Sequence, residues 1–478
     1  MRMDGMSMDD TGASGAGAPG TGALKGKKVL IFGLKRSGRA AALALFRLGA
    51  KVAITDMKTR EELAGDVRDL PDGIEFFLGG HPEEALEGAE LVVLSPGVPM
   101  GIPLLREAAG RGVEVISELE LGYRLFKYEN PLVEFYAITG TNGKSTTSTL
   151  LHYMLLKAGR QAVLAGNIGH ALTGFAGEDA KRADCVVVEV SSFQLEAVSD
   201  FKPRISAILN LAPDHLDRYA GRQAYYETKM RIYGRQDEGD YLVLNSGDPA
   251  CRRIAGELKG SPSAPRVVYF GSDKEMGLYE RGGSVFINLP GMDMELMETS
   301  GIRIKGAHNL ENAMAAGAMA LLAGVPAGTV REALMEFPGL PHRMEFVREL
   351  DGVSYINDSK GTNPPAVLKS LGSFGDSPII LIAGGRDKNG DFESLRDAVK
   401  KHVKLLVLIG EAGGKIAAAL EGACEMAFAP DMGGAVRMAR QAARPGDVVL
   451  LSPACASFDM FRDFEDRGRK FAGEVRGL

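Results

Sequence analysis

The sequence predicts an α/β fold in three domains, and three observations carry that prediction. The chain has 478 residues, a length that suggests about three domains. It is 45% hydrophobic and 25% charged, the balance of a chain that buries ordinary globular cores. Three successive segments each alternate short apolar strands with helical patterns, the signature of helices layered on largely parallel sheets.

Residues 1–23 read as a disordered tail, rich in Gly, Ala, Ser and Thr and lacking the apolar stretch of a secretory signal. The first domain spans 24–128. Its opening strand, Lys28–Phe32, runs into the turn Gly33–Gly38, a helix over Arg39–Leu48 and a strand ending at Asp56. A further strand, Leu91–Leu94, ends in Ser95-Pro96-Gly97-Val98-Pro99. The second domain spans 129–338, with strands at Leu132–Ile138, Cys185–Val190, Ile205–Asn210 and Tyr241–Asn245. Between the first two lies a helix with Leu150, Leu151, Met154, Leu155 and Ala158 spaced for one buried face. The third domain spans 339–478, with strands at Val353–Asn357, Ile379–Ala383, Leu405–Ile409 and Val448–Leu451 and a polar closing helix.

The formal net charge of -6 gives no reason to expect nucleic acid as a partner. No apolar run reaches the ~20 residues of a membrane span. Cys185, Cys251, Cys424 and Cys455 are far apart and lack metal-ligand spacing, so they read as reduced thiols in a reducing cytoplasm. A cytoplasmic monomer with no membrane partner is the expectation.

The chemistry begins at Gly140-Thr141-Asn142-Gly143-Lys144-Ser145-Thr146. A strand, a glycine turn, Lys-Ser and a helix form a phosphate cradle: backbone N–H groups and the helix N-terminus face the anion. Lys144 would reach the β- and γ-phosphates and Ser145 would ligate Mg²⁺. The spacing is a compact variant, because Ile138 stands where the general signature has a glycine. Glu189 ends an apolar strand, where a second Mg²⁺ ligand belongs; a helix-stabilising acid is the alternative. In Asp214-His215-Leu216-Asp217-Arg218-Tyr219, His215 could hold a metal or carry a proton. Lys229, by its residues alone, reads as a surface lysine on a helix. Asn309 and Asn312 share a helix face, with a helix cap as the alternative for Asn309. In the third domain, polar clusters follow successive strands at Asn357–Asn363, Gly384–Lys388 and Ser452–Asp459. Rich in cations and hydroxyls, they point to an anionic ligand at one sheet edge.

Taken in order from Lys27 to the end, these motifs resemble the Mur ligases of peptidoglycan synthesis. The landmarks are the loop Gly140–Ser145, Glu189, His215, Asn309 to Asn312, His342-Arg343 and Asp358-Ser359-Lys360. Ser191–Glu196, Asp214–Tyr219, Asn357–Asn363 and Leu451–Ser457 most resemble the branch that adds D-glutamate to UDP-N-acetylmuramoyl-L-alanine. The resemblance implies a Rossmann-like N-terminal domain, a P-loop-type central ATPase domain and a Rossmann-like C-terminal domain. It implies ATP and Mg²⁺, and an acyl phosphate attacked by the D-glutamate amine.

It assigns Gly140 to Thr146, Asn309, Asn312, Arg343 and Asp358 to ATP. Ser145, Glu189, His215 and a carbamylated Lys229 take the metal, and Lys144, His215 and Lys229 are the catalytic set. Thr362, Lys388, Ser457 and Phe464 take D-glutamate; Arg36, Ser37, Asp56, Gly97 and Asn167 take the UDP-substrate. The chain departs from the family at Lys35, where a glycine is frequent, and at Arg386-Asp387 before Lys388.

Other readings compete. Another ligase of the superfamily would differ in the third-domain loops, and the Asp-Asn-Pro-x-Arg pattern of a diamino-acid ligase is absent. A nicotinamide dehydrogenase built on Gly33 to Asp56 would need a third glycine, and Ala40 or Ala41 stands near its place. A nucleotide-binding regulator would release no phosphate.

Overall fold

The computed structural model describes residues 24–214, 218–387 and 390–478; His215 and Lys388 lie outside the described residues. The chain forms two compact units. One comprises residues up to 144, 159–244 and 250–267, the other 145–158, 245–249 and 268–478.

The first unit opens with five strands: β1 (Lys28–Phe32), β2 (Lys51–Asp56), β3 (Glu75–Leu78), β4 (Ala89–Leu94) and β5 (Glu114–Ser117). They are parallel, in the order β3-β2-β1-β4-β5. Both faces are buried, so the strands are continuously apolar. Val29 and Ile31 pack into one core with Leu45 and Leu121, while Leu30 and Phe32 pack into the other with Leu104 and Leu105. The order reverses at β1, which opens a crevice at the carboxyl ends of β1 and β4. The helix Arg36–Arg47 starts three residues earlier than its periodicity suggested. A Cβ on Gly38 would lie 1.8 Å from the Gly33 carbonyl oxygen. Gly38 therefore does the work of the close-packing glycine that the sequence reading placed near Ala40 or Ala41.

The same unit holds β6 (Glu134–Thr139), β7 (Ala162–Gly166), β8 (Cys185–Glu189), β9 (Ile205–Ile208) and β10 (Tyr241–Asn245). These run parallel in the order β10-β9-β6-β8-β7. β9 stops two residues short of the expected Asn210, because Asn210 leaves the ladder to bind the glycine loop.

β11 (Arg266–Gly271), which belongs to the second unit from residue 268 on, pairs parallel with β12 (Gly277–Arg281) of that unit. β12, β13 (Ser284–Leu289) and β14 (Met292–Glu298) then form an antiparallel meander. The sequence reading did not include this meander. Its signal was Gly282-Gly283, whose φ values of 62° and 84° suit a two-residue hairpin turn.

The last sheet contains β15 (Glu345–Leu350), β16 (Val353–Asn357), β17 (Ile379–Gly384), β18 (Val403–Ile409), β19 (Glu425–Phe428) and β20 (Val448–Leu451). Their order is β15-β16-β20-β17-β18-β19, parallel except for β15. β20, last in sequence, sits between β16 and β17, so their three terminal loops are neighbours. Among the described residues, no helix is long and apolar enough to cross a membrane.

Gly38→Ala should lower stability by about 1–3 kcal/mol, measured by denaturant unfolding. Gly65→Ala, in a helix where an added Cβ meets nothing within 4 Å, should be neutral or stabilising.

Candidate active site

The loop after β6 is held by its own backbone. Gly140 and Gly143 have φ of 151° and 85°, where a side chain is strained. The Thr141 N–H donates to the Asn210 carbonyl at 3.0 Å, and the Asn142 N–H donates to Asn210 Oδ1 at 2.9 Å. Thr141 Oγ1 donates to the Ala212 carbonyl at 3.1 Å. The helix Lys144–Lys157 then begins. Lys144 Nζ curls back to donate to the carbonyls of Gly140 and Thr141 at 2.8 and 3.1 Å.

Lys229 is the largest correction to the residue-level reading. It is 2% exposed, not a surface lysine. Its helix, Arg222–Met230, buries Tyr225 and Lys229, one turn apart on a single face. Nζ lies 4.9 Å from the Tyr225 ring centroid and donates to Thr139 Oγ1 at 3.3 Å and to the Gly140 carbonyl at 3.1 Å. Two lysines thus share one carbonyl oxygen. Burial lowers the Lys229 pKa to about 7, and Lys144 adds to the drop, while Asp214 and Glu189 oppose it. The one signal in the sequence was a lysine four residues after an aromatic on the buried stripe.

Glu189, at the end of β8, is also 2% exposed. Its Oε1 accepts from Asn167 Nδ2 at 2.7 Å, and its buried Oε2 has no hydrogen-bond partner. A buried carboxylate oxygen with no hydrogen-bond partner is a group that a divalent cation could satisfy. A Cβ on Gly166 would meet the Glu189 carbonyl oxygen at 2.3 Å, so glycine is required beside it.

Asn167 connects this region to a cavity of about 440 Å³ at the crevice of the first sheet, also lined by Arg36, Ser37, Asp56 and Gly97. All five sequence-assigned UDP-substrate residues therefore share one cavity. Arg36 Nη1 donates to the Gly169 carbonyl at 2.6 Å. Asp56 accepts the N–H groups of Leu34 and Lys58 at 2.7 and 2.9 Å. Arg218, to which the sequence reading gave no separate role, pins the cavity wall. It donates to the carbonyls of Pro96 and Val98, pairs with both oxygens of Glu196, and stacks 4.1 Å over Phe193.

In the second unit, the helix Ala307–Leu322 is capped by Gly306, not Asn309. Asn309 instead donates to the Lys305 carbonyl at 2.9 Å and accepts from Asn312 at 3.3 Å. Thr147 Oγ1 donates to Asn312 Oδ1 at 3.3 Å. Asp358 is buried, and burial pushes its pKa up. Its Oδ2 accepts the hydroxyls of Ser370 and Ser452 at 2.7 and 2.8 Å. Lys360 Nζ sits 3.8 Å over the Phe464 ring. Arg386 pairs with Glu411, and Asp387 with Lys415. Both departures before Lys388 are therefore absorbed by local ion pairs.

These loops are joined by Arg467, which sequence reasoning missed. It is 0% exposed. Nε donates to Ser359 Oγ and Nη2 to the Ser359 carbonyl, both at 2.9 Å. Nη1 reaches the carbonyls of Cys455 and Ala456 at 3.1 and 3.3 Å. Ser359 Oγ donates to the Phe464 carbonyl at 2.8 Å. One guanidinium thus ties the loops bearing Asp358, Ser457 and Phe464.

Three family models match the chain: the Mur ligase MurD-like N-terminal domain over residues 27–117, the Mur ligase middle domain over 138–320, and the Mur ligase glutamate ligase domain over 342–455. The chain belongs to the Mur ligase family. This Mur ligase is 46% identical over 458 residues to the UDP-N-acetylmuramoylalanine–D-glutamate ligase of Geotalea uraniireducens, covering 95% of this chain and 98% of the relative. A protein of the same name from Clostridioides difficile is 39% identical over 461 residues, covering 95% and 99%. Among solved structures, the UDP-N-acetylmuramate-alanine ligase of Thermotoga maritima superposes with a TM-score of 0.56 at 21% identity, covering 94% of this chain and 99% of that one. MurF of Acinetobacter baumannii gives 0.57 at 17% identity, covering 95% and 92%. The fold is thus the three-domain α/β fold of the Mur ligases, and the enzyme is ATP-dependent.

Arg467→Met should destabilise the protein by about 3 kcal/mol or more, because it strands buried carbonyls and a hydroxyl. Arg467→Lys should restore only part of that loss, since an ammonium lacks the fork. Denaturant unfolding measures both.

Proposed function

We infer that this Mur ligase uses ATP to join D-glutamate to UDP-N-acetylmuramoyl-L-alanine in peptidoglycan precursor synthesis. Near-full-length identity to relatives of that name carries the reading. A free carboxylate is a poor electrophile. Its oxygen attacks the γ-phosphorus of ATP and ADP leaves, giving an acyl phosphate. The D-glutamate amine then attacks the acyl carbon, phosphate departs, and the nitrogen loses a proton.

Transfer between anions needs cations in place beforehand. Lys144 at the glycine loop supports the phosphate role. Mg²⁺ would offset phosphate charge; Ser145, Glu189, His215 and a carbamylated Lys229 would hold it. The open Glu189 Oε2 supports that set. Carbamylation joins the Lys229 nitrogen to CO₂ with loss of a proton. It needs the neutral amine, which burial favours, and it gives the site a second carboxylate. Asn309, Asn312, Arg343 and Asp358 complete the ATP roles. Thr362, Lys388, Ser457 and Phe464 take D-glutamate, and the cavity lined by Arg36 and Asp56 takes the UDP moiety. The enzyme acts as a cytoplasmic monomer.

Phosphate release with UDP-N-acetylmuramoyl-L-alanine, ATP and Mg²⁺ should require D-glutamate; release with L-lysine or diaminopimelate instead would overturn the reading. Lys144→Ala should cut turnover by about 10²–10³-fold and leave UDP-substrate binding nearly intact by calorimetry. With ¹³C-bicarbonate at pH 8, a carbamate resonance should appear in the wild type and be absent from Lys229→Ala. It should fade as pH falls through about 7, where the amine takes up its proton; an unlabelled wild type would refute the modification.

A further inference from the structure

His81, just beyond β3, lines the cavity that also contains Arg36, Asp56 and Asn167. Its tautomer follows from counting protons. Thr55 Oγ1 lies 3.0 Å from the Gly80 carbonyl oxygen and 2.8 Å from His81 Nδ1. A carbonyl oxygen only accepts, so the single hydroxyl proton of Thr55 goes to Gly80. The contact with the ring then needs a proton from the ring, and Nδ1 carries it. Thr55 is fully buried in β2, so the lock is rigid. The Phe32 ring, 5.0 Å away between centroids, holds the imidazole from the side. Burial lowers the His81 pKa, against the pull of Asp56, which keeps the ring neutral near pH 7.

A neutral ring protonated at Nδ1 presents Nε2 as a bare acceptor. Nε2 makes no hydrogen bond among the described residues, nor is it among the buried atoms that lack one. Two other polar groups of the wall are already engaged. Asp56 accepts two backbone N–H groups, and Ser95 Oγ donates to the Gly33 carbonyl at 2.8 Å. Lys35, Arg36 and Lys58 are cations and only donate.

We propose that His81 reads the nucleobase of the substrate, its Nε2 accepting the imide N3–H of uracil and excluding cytosine. Cytosine N3 is an acceptor, and two lone pairs would face each other. This rests on the reading of the substrate as a UDP conjugate. A polar site that loses its partner discriminates strongly.

The test is calorimetric titration of UDP and CDP into the full chain. The wild type should prefer UDP by roughly 30-fold or more. His81→Phe keeps a ring but cannot accept, and the ratio should fall to within about 3-fold, with CDP affinity little changed. Thr55→Val removes the partner of Nδ1–H without entering the cavity, and should lower the ratio several-fold. A purely structural role for His81 would weaken both nucleotides equally. Retention of the UDP preference in His81→Phe, or no preference in the wild type, overturns the proposal. Absence of D-glutamate-dependent turnover in the wild type would instead overturn the substrate reading.

Discussion

The Gly140 carbonyl oxygen accepts from Lys144 and from Lys229, and the arrangement at the end of β6 depends on that shared contact. Two ammonium groups on one oxygen in a water-poor pocket repel strongly. Lys144 begins the helix that follows the glycine loop, and its charge weighs on Lys229. Lys229, 2% exposed, is the one that yields its proton. Its depressed pKa follows from where Tyr225 and Thr139 place it. The result is a buried amine of lowered pKa near Glu189, whose Oε2 has no hydrogen-bond partner. The phosphate, metal and carbamylation roles proposed for these residues would all follow from this one arrangement.

The same economy appears at Asn167. Its side chain donates to Glu189 Oε1, its backbone N–H donates to the Glu189 carbonyl at 2.8 Å, and it lines the cavity of the first sheet. A shift of the β7–β8 loops would move Glu189 and the cavity wall together. Arg218 does the equivalent at the opposite wall, tying Pro96 and Val98 to the segment that follows His215. Rigid coupling of this kind holds reacting groups in register, which is where much of the rate of a positioning enzyme originates.

Much of this was legible in the sequence, for reasons that differ by residue. Strands buried on both faces are continuous apolar runs, so β1, β8 and β17 were visible almost residue for residue. The glycine loop and Glu189 stood out as polar or glycine residues directly after or at the end of apolar strands, and the structure places them at the ends of β6 and β8. The antiparallel meander β12–β14 was missed, although Gly282-Gly283 signalled its turn. The cap reading of Asn309 failed because Gly306, at φ 97°, takes that position. Lys229 and Arg467 were invisible bottom-up, because a charged residue on a polar-looking helix reads as solvated. Only the tertiary fold buries them, and only family resemblance singled out Lys229.

Those two buried cations show why lysine and arginine are not interchangeable here. Burial lowers Arg467 to about 10, so it remains charged at neutral pH. Carbonyl oxygens and a hydroxyl satisfy its fork, and it works as a fastener for the Ser359 and Cys455 loops. Burial takes Lys229 much further, to about 7, because an ammonium concentrates its charge and shifts readily. An arginine at 229 would keep its proton and leave a permanent cation against Lys144. A lysine at 467 could not span Ser359, Cys455 and Ala456 at once. The fold thus uses the guanidinium where it needs a fixed charge and the amine where it needs one that can be surrendered.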